Sequence, residues 1–157
     1  MDYKELDRID KIILSDLIND ARKPYLEIAR ECGVSGAAIH QRVKKLESLG
    51  VISGSSSLIS PASLGYTICA FIFLNLTESN KYQEVIHSLE KVPEIVECHF
   101  ITGRSSILVK VYCHDNAHLM NIVINTIQKI PFVQSSETMI SLEETIKRQI
   151  YIDKDSL

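Results

Sequence analysis

The sequence predicts an α+β chain in two parts, a helical N-terminal third and a larger sheet-bearing remainder. Three observations predict it. Apolar residues in the first fifty positions recur at the three- and four-residue intervals of a helix. A stretch rich in Ser and Gly and containing Pro61 follows over residues 51–65. Beyond it, strand-length apolar runs and helical patterns come in the order strand, helix, strand, strand, helix, strand.

Leu6, Ile9, Ile13 and Leu17 share one face of a first helix expected over residues 7–20, with Ile12 and Ile18 beside them. Pro24 suits the first turn of a second helix, where its missing N–H costs nothing, and Gly33 supplies a left-handed exit after Cys32. Ser35 can cap a third helix through its hydroxyl, and Val34 before it can staple onto Ile39. Ile39, Val43, Leu46 and Leu49 then form a buried stripe, and Gly50 closes the helix, which spans residues 36–49. Residues 51–65 read as a short extended wing followed by a linker. The boundary near Ser60 divides the chain into domains 1–60 and 61–157.

In the second domain the run ICAFIFLNL gives the first strand, and Tyr82, Val85, Ile86 and Leu89 mark an amphipathic helix. Residues 95–102 and 106–113 are the next two strands. Leu119, Ile122, Val123, Ile127 and Ile130 mark a second helix stopped at Pro131, and residues 133–142 give the fourth strand. KVPEIVECHF and KIPFVQSSETM echo each other, each running from a helix end through proline into a strand. The order is that of the split βαβ, or ferredoxin-like, arrangement. Both helices cover one face of such a sheet. Strands this apolar would be costly to leave wet on the other, so pairing of two copies through the sheet is expected.

The chain is 45% hydrophobic and 24% charged, with a mean hydropathy of +0.06, which supports neither disorder nor a membrane span. Its first residues carry acids and lack the pattern of a secretory signal, so the expected location is the cytoplasm. The four cysteines, Cys32, Cys69, Cys98 and Cys113, are widely spaced and read as buried thiols. The net charge of −3 is unevenly distributed: residues 22–45 hold six basic side chains against two acidic, whereas residues beyond 50 hold eight against eleven.

A second helix, a short turn through Gly33 and a capped third helix with a basic outer face fit the specification of a reader of double-stranded DNA. His40, Gln41, Lys44 and Lys45 fall outside the buried stripe, while Gly36 and Ala37, beside the cap Ser35, are small enough to approach a groove closely. Gln41 is the expected base reader, because its amide can pair bidentately with adenine. Arg42, Lys44 and Lys45 are expected on phosphates, where they set register and salt dependence, and Arg22 and Ser35 are further DNA-binding candidates.

The sequence holds no paired carboxylates with a reason to be close, no nucleophile elbow, no HExxH and no phosphate-cradling loop, so no catalytic residue is assigned. His114 and His118, four residues apart with Cys113 adjacent, are the best metal candidates. Neighbouring residues on a strand point apart, however, so Cys113 and His114 do not chelate together, and no metal or cofactor is expected.

The segment from Leu6 to Gly54 resembles the helix-turn-helix of the Lrp/AsnC, or feast/famine, family. Carrying the resemblance are Leu6, Asp7, Asp10, Ile13, Leu14, Ala21, Arg22, Glu27, Ala29, Ser35, Arg42, Val43, Leu46, Gly50, Val51 and Ile52. It continues with LGY at 64–66, TG at Thr102 and Gly103, and the strand ILVKV, and so covers almost the whole chain. The resemblance implies a transcription regulator that binds palindromic DNA as a homodimer, pairs its C-terminal sheets, and assembles into tetramers or octamers. It also implies an amino acid or related carboxylate metabolite as effector, bound near the TG loop. The positions matching that pocket are Gly103, Arg104, Ser105 and Ser106, with Ser136 and Thr138 on the last strand.

The chain departs from many relatives here, with Arg104 and Ser106 where they carry acids. Three outcomes remain open: Glu97 substitutes for the missing acid, Arg104 recruits a carboxylate ligand instead, or sensing is lost. The alternatives to an effector-responsive regulator are a nucleoid-organising protein that coats DNA, and a ligand or enzyme domain whose N-terminal helices serve only protein contacts.

Overall fold

A computed structural model describes residues 6–153; residues 1–5 and 154–157 lie outside the described residues. The chain divides into two compact units. One comprises the chain through Leu58 together with the stretch from Ile146, and the other spans Ile59–Thr145. The first boundary falls next to the expected Ser60. The stretch from Ile146, expected in the second domain, clusters with the N-terminal helices, where Ile152 joins their core.

The helical unit contains α1 (Arg8–Asn19), α2 (Tyr25–Cys32) and α3 (Gly36–Ser48). Asp7 caps α1 by accepting the Asp10 N–H at 2.9 Å, and the Asp10 carboxylate accepts the Asp7 N–H at 3.4 Å, so two otherwise orphaned donors are satisfied reciprocally. Gly33 leaves α2 at φ +68°, the left-handed region that a side chain would strain, and no atom lies within 4 Å of where its Cβ would be. The Ser35 hydroxyl accepts the Ala38 N–H at 3.2 Å to start α3. Ile13, Ile28, Ile39 and Leu46 are essentially inaccessible to solvent and join the three helices into one core. Residues 51–60 carry neither helix nor strand, and a single 3₁₀ turn, Ala62–Leu64, precedes the second unit's sheet.

The second unit has β1 (Ile68–Leu76), α4 (Tyr82–Leu89), β2 (Ile95–Phe100), β3 (Ile107–Cys113), α5 (Asn116–Asn121) and β4 (Val133–Ser141). The strands are antiparallel in the order β2-β3-β1-β4, the ferredoxin-like topology expected. Ala70, Ile72 and Leu74 of β1 and Ile107, Val109, Val111 and Cys113 of β3 alternate onto one face and are buried against α4 and α5.

The helix begun by α5 does not stay α-helical. It passes through a π turn, Ile122–Thr126, and a 3₁₀ turn, Ile127–Lys129. Buried Ile122 and Ile127 are five residues apart, a spacing that a regular α-helix would place on different sides, and the wider π turn brings both to the sheet.

The internal echo extends to a structural defect. Both edge strands shift register just after their proline: Ile95 pairs with Val111 and Glu97 with Lys110, while Val133 pairs with Leu76 and Ser135 with Asn75. Val96 and Gln134 are thus left over as bulges at equivalent positions, and each re-aims the strand beyond it.

Candidate nucleic-acid interface

Helix α3 buries Ile39, Val43 and Leu46 and leaves Ala37, His40, Gln41, Lys44 and Lys45 exposed. Gln41 lies four residues after Ala37, and Lys44 and Lys45 lie three and four after Gln41, so the four share a face. Gly36 also has a packing role. A Cβ there would come within 2.9 Å of Leu26 Cδ2, so its small size already serves the approach of α2 to α3. The His40 ring lies 5.9 Å from that of Tyr25, against α2.

The structure divides the basic residues into two kinds. Lys23 meets Asp16 at 2.6 Å and Glu31 at 3.3 Å. Arg42 donates from Nη1 to Asp7 Oδ2 at 2.6 Å and to Asp10 Oδ1 at 2.9 Å, clamping α3 to the N-terminus of α1. Burial opposes ionisation of the Asp7 carboxyl, but the Asp10 N–H and the Arg42 guanidinium outweigh it and hold that carboxyl below its ordinary value. Arg42, expected on a phosphate, is thus paired within the unit to Asp7 and Asp10. Arg22, Arg30, Lys44 and Lys45 are exposed and form no ion pair among the described residues. Sequence reasoning missed Asp7 and Asp10 as partners of Arg42, although the capping pattern that places them on the first turn of α1 was legible.

In the second unit the loop between β2 and β3 carries Thr102, Gly103 and Arg104 exposed and Ser105 and Ser106 half-buried. Gly103 sits at φ +125°, which only glycine adopts without strain. The Ser106 N–H donates to Leu74 O at 2.9 Å, and Leu74 pairs on its other side with Ser136, so Ser106 and Ser136 flank the same residue of β1. Ser136 and Thr138 lie opposite Leu74 and Ile72 and therefore on the helix-covered face; Gln128 Nε2 donates to Ser136 Oγ at 2.9 Å.

Glu97 is not brought to this group. The bulge at Val96 turns it to the opposite face, on the other edge strand, where its carboxylate meets Lys110 Nζ at 3.3 Å. Lys110 also meets Glu144 at 3.3 Å; burial opposes its charge, but the two acids raise its pKa above the ordinary value.

A cavity of about 160 Å³ lies between α4 and β2, lined by apolar Ile86, Leu89, Ile95 and Val96 beside Cys98 and two glutamates. It is away from the loop and below the roughly 300 Å³ at which small-molecule pockets begin. His114 Nδ1 donates to Gly65 O at 2.9 Å, and His118 Nδ1 accepts the His114 N–H at 3.3 Å while its Nε2 meets Glu94 at 3.2 Å. Both rings are thus held by hydrogen bonds. Among the described residues no three His, Cys, Asp or Glu side chains converge as metal ligands, and no helix is long and apolar enough to cross a membrane.

Residues 6–47 match the AsnC-type helix-turn-helix domain, and residues 69–151 match the Lrp/AsnC ligand binding domain. The chain belongs to the Lrp/AsnC family. The regulatory protein AsnC of Haemophilus influenzae is 41% identical to this Lrp/AsnC chain over 145 residues, 92% of this chain and 97% of that one. The solved structure of Escherichia coli AsnC superposes with a TM-score of 0.88 at 39% identity, covering 92% of this chain and 97% of that one. A feast or famine regulatory protein from Mycobacterium tuberculosis, solved in complex with L-methionine, superposes at 0.87 with 27% identity, covering 94% and 99%. Relatives and fold together make this Lrp/AsnC chain a transcription regulator with a helix-turn-helix.

Proposed function

We propose that this Lrp/AsnC chain binds double-stranded DNA in a sequence-specific way through α3 and responds to an amino acid or related carboxylate metabolite. The observation that carries the DNA reading is the division of charge on α3. Arg42 is locked to Asp7 and Asp10, whereas Lys44 and Lys45 stand exposed beside Gln41 with no partner among the described residues. Gln41 reads a base edge. Lys44, Lys45 and Arg22 hold phosphates, and Ser35, Gly36, Ala37 and His40 form the end of α3 that meets the groove. The protein acts as a homodimer paired through the face of the sheet that bears half-buried Phe71, Phe73, Leu108 and Tyr112, and dimers assemble further into tetramers or octamers in the cytoplasm, on the nucleoid.

The effector sits by Gly103, Arg104, Ser105 and Ser106, with Ser136 and Thr138 in reach. The L-methionine complex of the mycobacterial relative supports an amino acid as ligand class, and Arg104 favours a carboxylate on it.

The test is a salt titration of operator binding. Removing one phosphate-binding cation lowers the slope of log K against log salt by about 0.9, so Lys44→Ala with Lys45→Ala is expected to flatten it by roughly 2 per subunit. Gln41→Ala is expected to keep the slope and relax the sequence preference. Parental slope and affinity in the double lysine variant would refute the assignment of α3.

A further inference from the structure

Helix α1 is buried over a wide part of its circumference. Ile12, Ile13 and Leu14 are 8%, 0% and 6% exposed. Successive helix positions turn by about 100°, so three in a row span some 200° of its surface, well beyond one stripe. Besides Leu6 and the core residues of α2 and α3, their cluster includes Ile152, 9% exposed, from the far end of the chain. Its neighbours are not buried with it: Ile146, Ile150 and Tyr151 are 71%, 76% and 89% exposed. After the exposed stretch 142–151, Ile152 is therefore inserted into the helical core.

We infer that the C-terminal tail is a strap of the DNA-binding unit, with Ile152 as the plug that completes the core on which α3 rests. The unit is built from both ends of the chain. Between the plug and β4 lie only residues 142–151, and β4 carries Ser136 and Thr138. A ligand that shifts β4 thereby has a covalent route to the helices; this consequence rests on the effector reading above, whereas the strap itself does not.

The experiment compares the full-length parent, Ile152→Asp, and Ile150→Asp as an exposed control, by amide hydrogen exchange and by DNA titration. In Ile152→Asp, the protected amides of α1 and α3 are expected to exchange at least about tenfold faster, those of β1 and β3 to be unchanged, and DNA affinity to fall by a similar factor. Ile150→Asp is expected to behave as the parent. Should the aspartate variant not fold, Ile152→Val and Ile152→Ala supply a graded series in which the loss grows with the volume removed. Parental exchange in α1 and α3 overturns the strap, and so does equal acceleration in β1 and β3. If the parent itself binds no DNA, the function reading fails, and the exchange data decide the strap on their own.

Discussion

Removing the Arg42 guanidinium tests whether this residue holds α3 in place or holds DNA. Its two carboxylate partners differ in environment: the Asp7 side chain is 52% exposed and the Asp10 side chain only 8%. The solvent-screened Asp7 leg contributes at most about 1 kcal/mol. The Asp10 leg matters more, because Arg42→Ala leaves a carboxylate in the core with only the long hydrogen bond from the Asp7 N–H, and stranding a buried polar group costs about 1–3 kcal/mol. Together these suggest a loss of about 2 kcal/mol, roughly a thirtyfold rise in the opening equilibrium. A unit of about 60 residues has some 3–9 kcal/mol in all, so the loss should be plain. A two-domain chain does not unfold in one step, so the appropriate measure is exchange of the slowest amides of α1 and α3. In an Asp10→Ala background the same substitution should cost only the Asp7 leg, and the difference isolates the coupling. Unchanged exchange in α1 and α3, with a salt slope of DNA binding flattened by about 0.9 per subunit, would show that Arg42 is a phosphate ligand after all.

The titrating groups set a window of stability. The Asp7 carboxyl is held below its ordinary value in the folded unit, so its contribution is present above the unfolded value of about 3.9 and is lost as the pH falls through the lower folded value. Acid titration followed by exchange in α1 should therefore show loosening beginning near pH 4, and an Asp7→Asn variant should lack that step. Burial pushes the Cys113 thiol up to about 11, so stability of the sheet unit should fall as pH rises from the unfolded thiol value of about 8.5 toward that figure. Burial raises Cys32, Cys69 and Cys98 as well. A thiol-reactive chromophore at neutral pH should label Cys98, which is exposed, before the other three, and should reach Cys113 only on unfolding. Rapid labelling of Cys113 in the native protein would contradict its burial.

What the sequence disclosed and what it hid differ by the range of the interaction. Helix starts and stops were legible because their causes are local: Ser35 caps a turn three residues ahead, and Gly33 exits α2 at φ +68° where a side chain would strain. The strand order was legible from two periods, and the echo of KVPEIV and KIPFVQ pointed to two equivalent halves. The bulges inside that echo were not legible. One extra residue at Val96 decides which face Glu97 occupies, and nothing in an alternating apolar pattern marks the residue that will be skipped. Glu97 thus read as a neighbour of the Gly103 loop and stands instead beside Lys110 on the other face.

Arg42 and Ile152 share a deeper reason for having been misplaced or missed. A basic residue on an exposed helix and an isoleucine in a polar tail each look free when the sequence is read in windows, because composition assigns charge to solvent and tails to disorder. Their partners lie 35 positions away in one case and in helices at the opposite end of the chain in the other. Both placements also relieve a defect that a window can show. The first turn of α1 carries two carboxylates three residues apart, Asp7 and Asp10, whose mutual repulsion calls for a cation. Helix α1 likewise carries Ile12, Ile13 and Leu14 in succession, more apolar surface than one stripe can bury. An unpaired acidic pair and an over-wide apolar face are demands that a sequence states locally and satisfies at a distance. In this chain Arg42 of α3 and Ile152 of the tail are the residues that meet them.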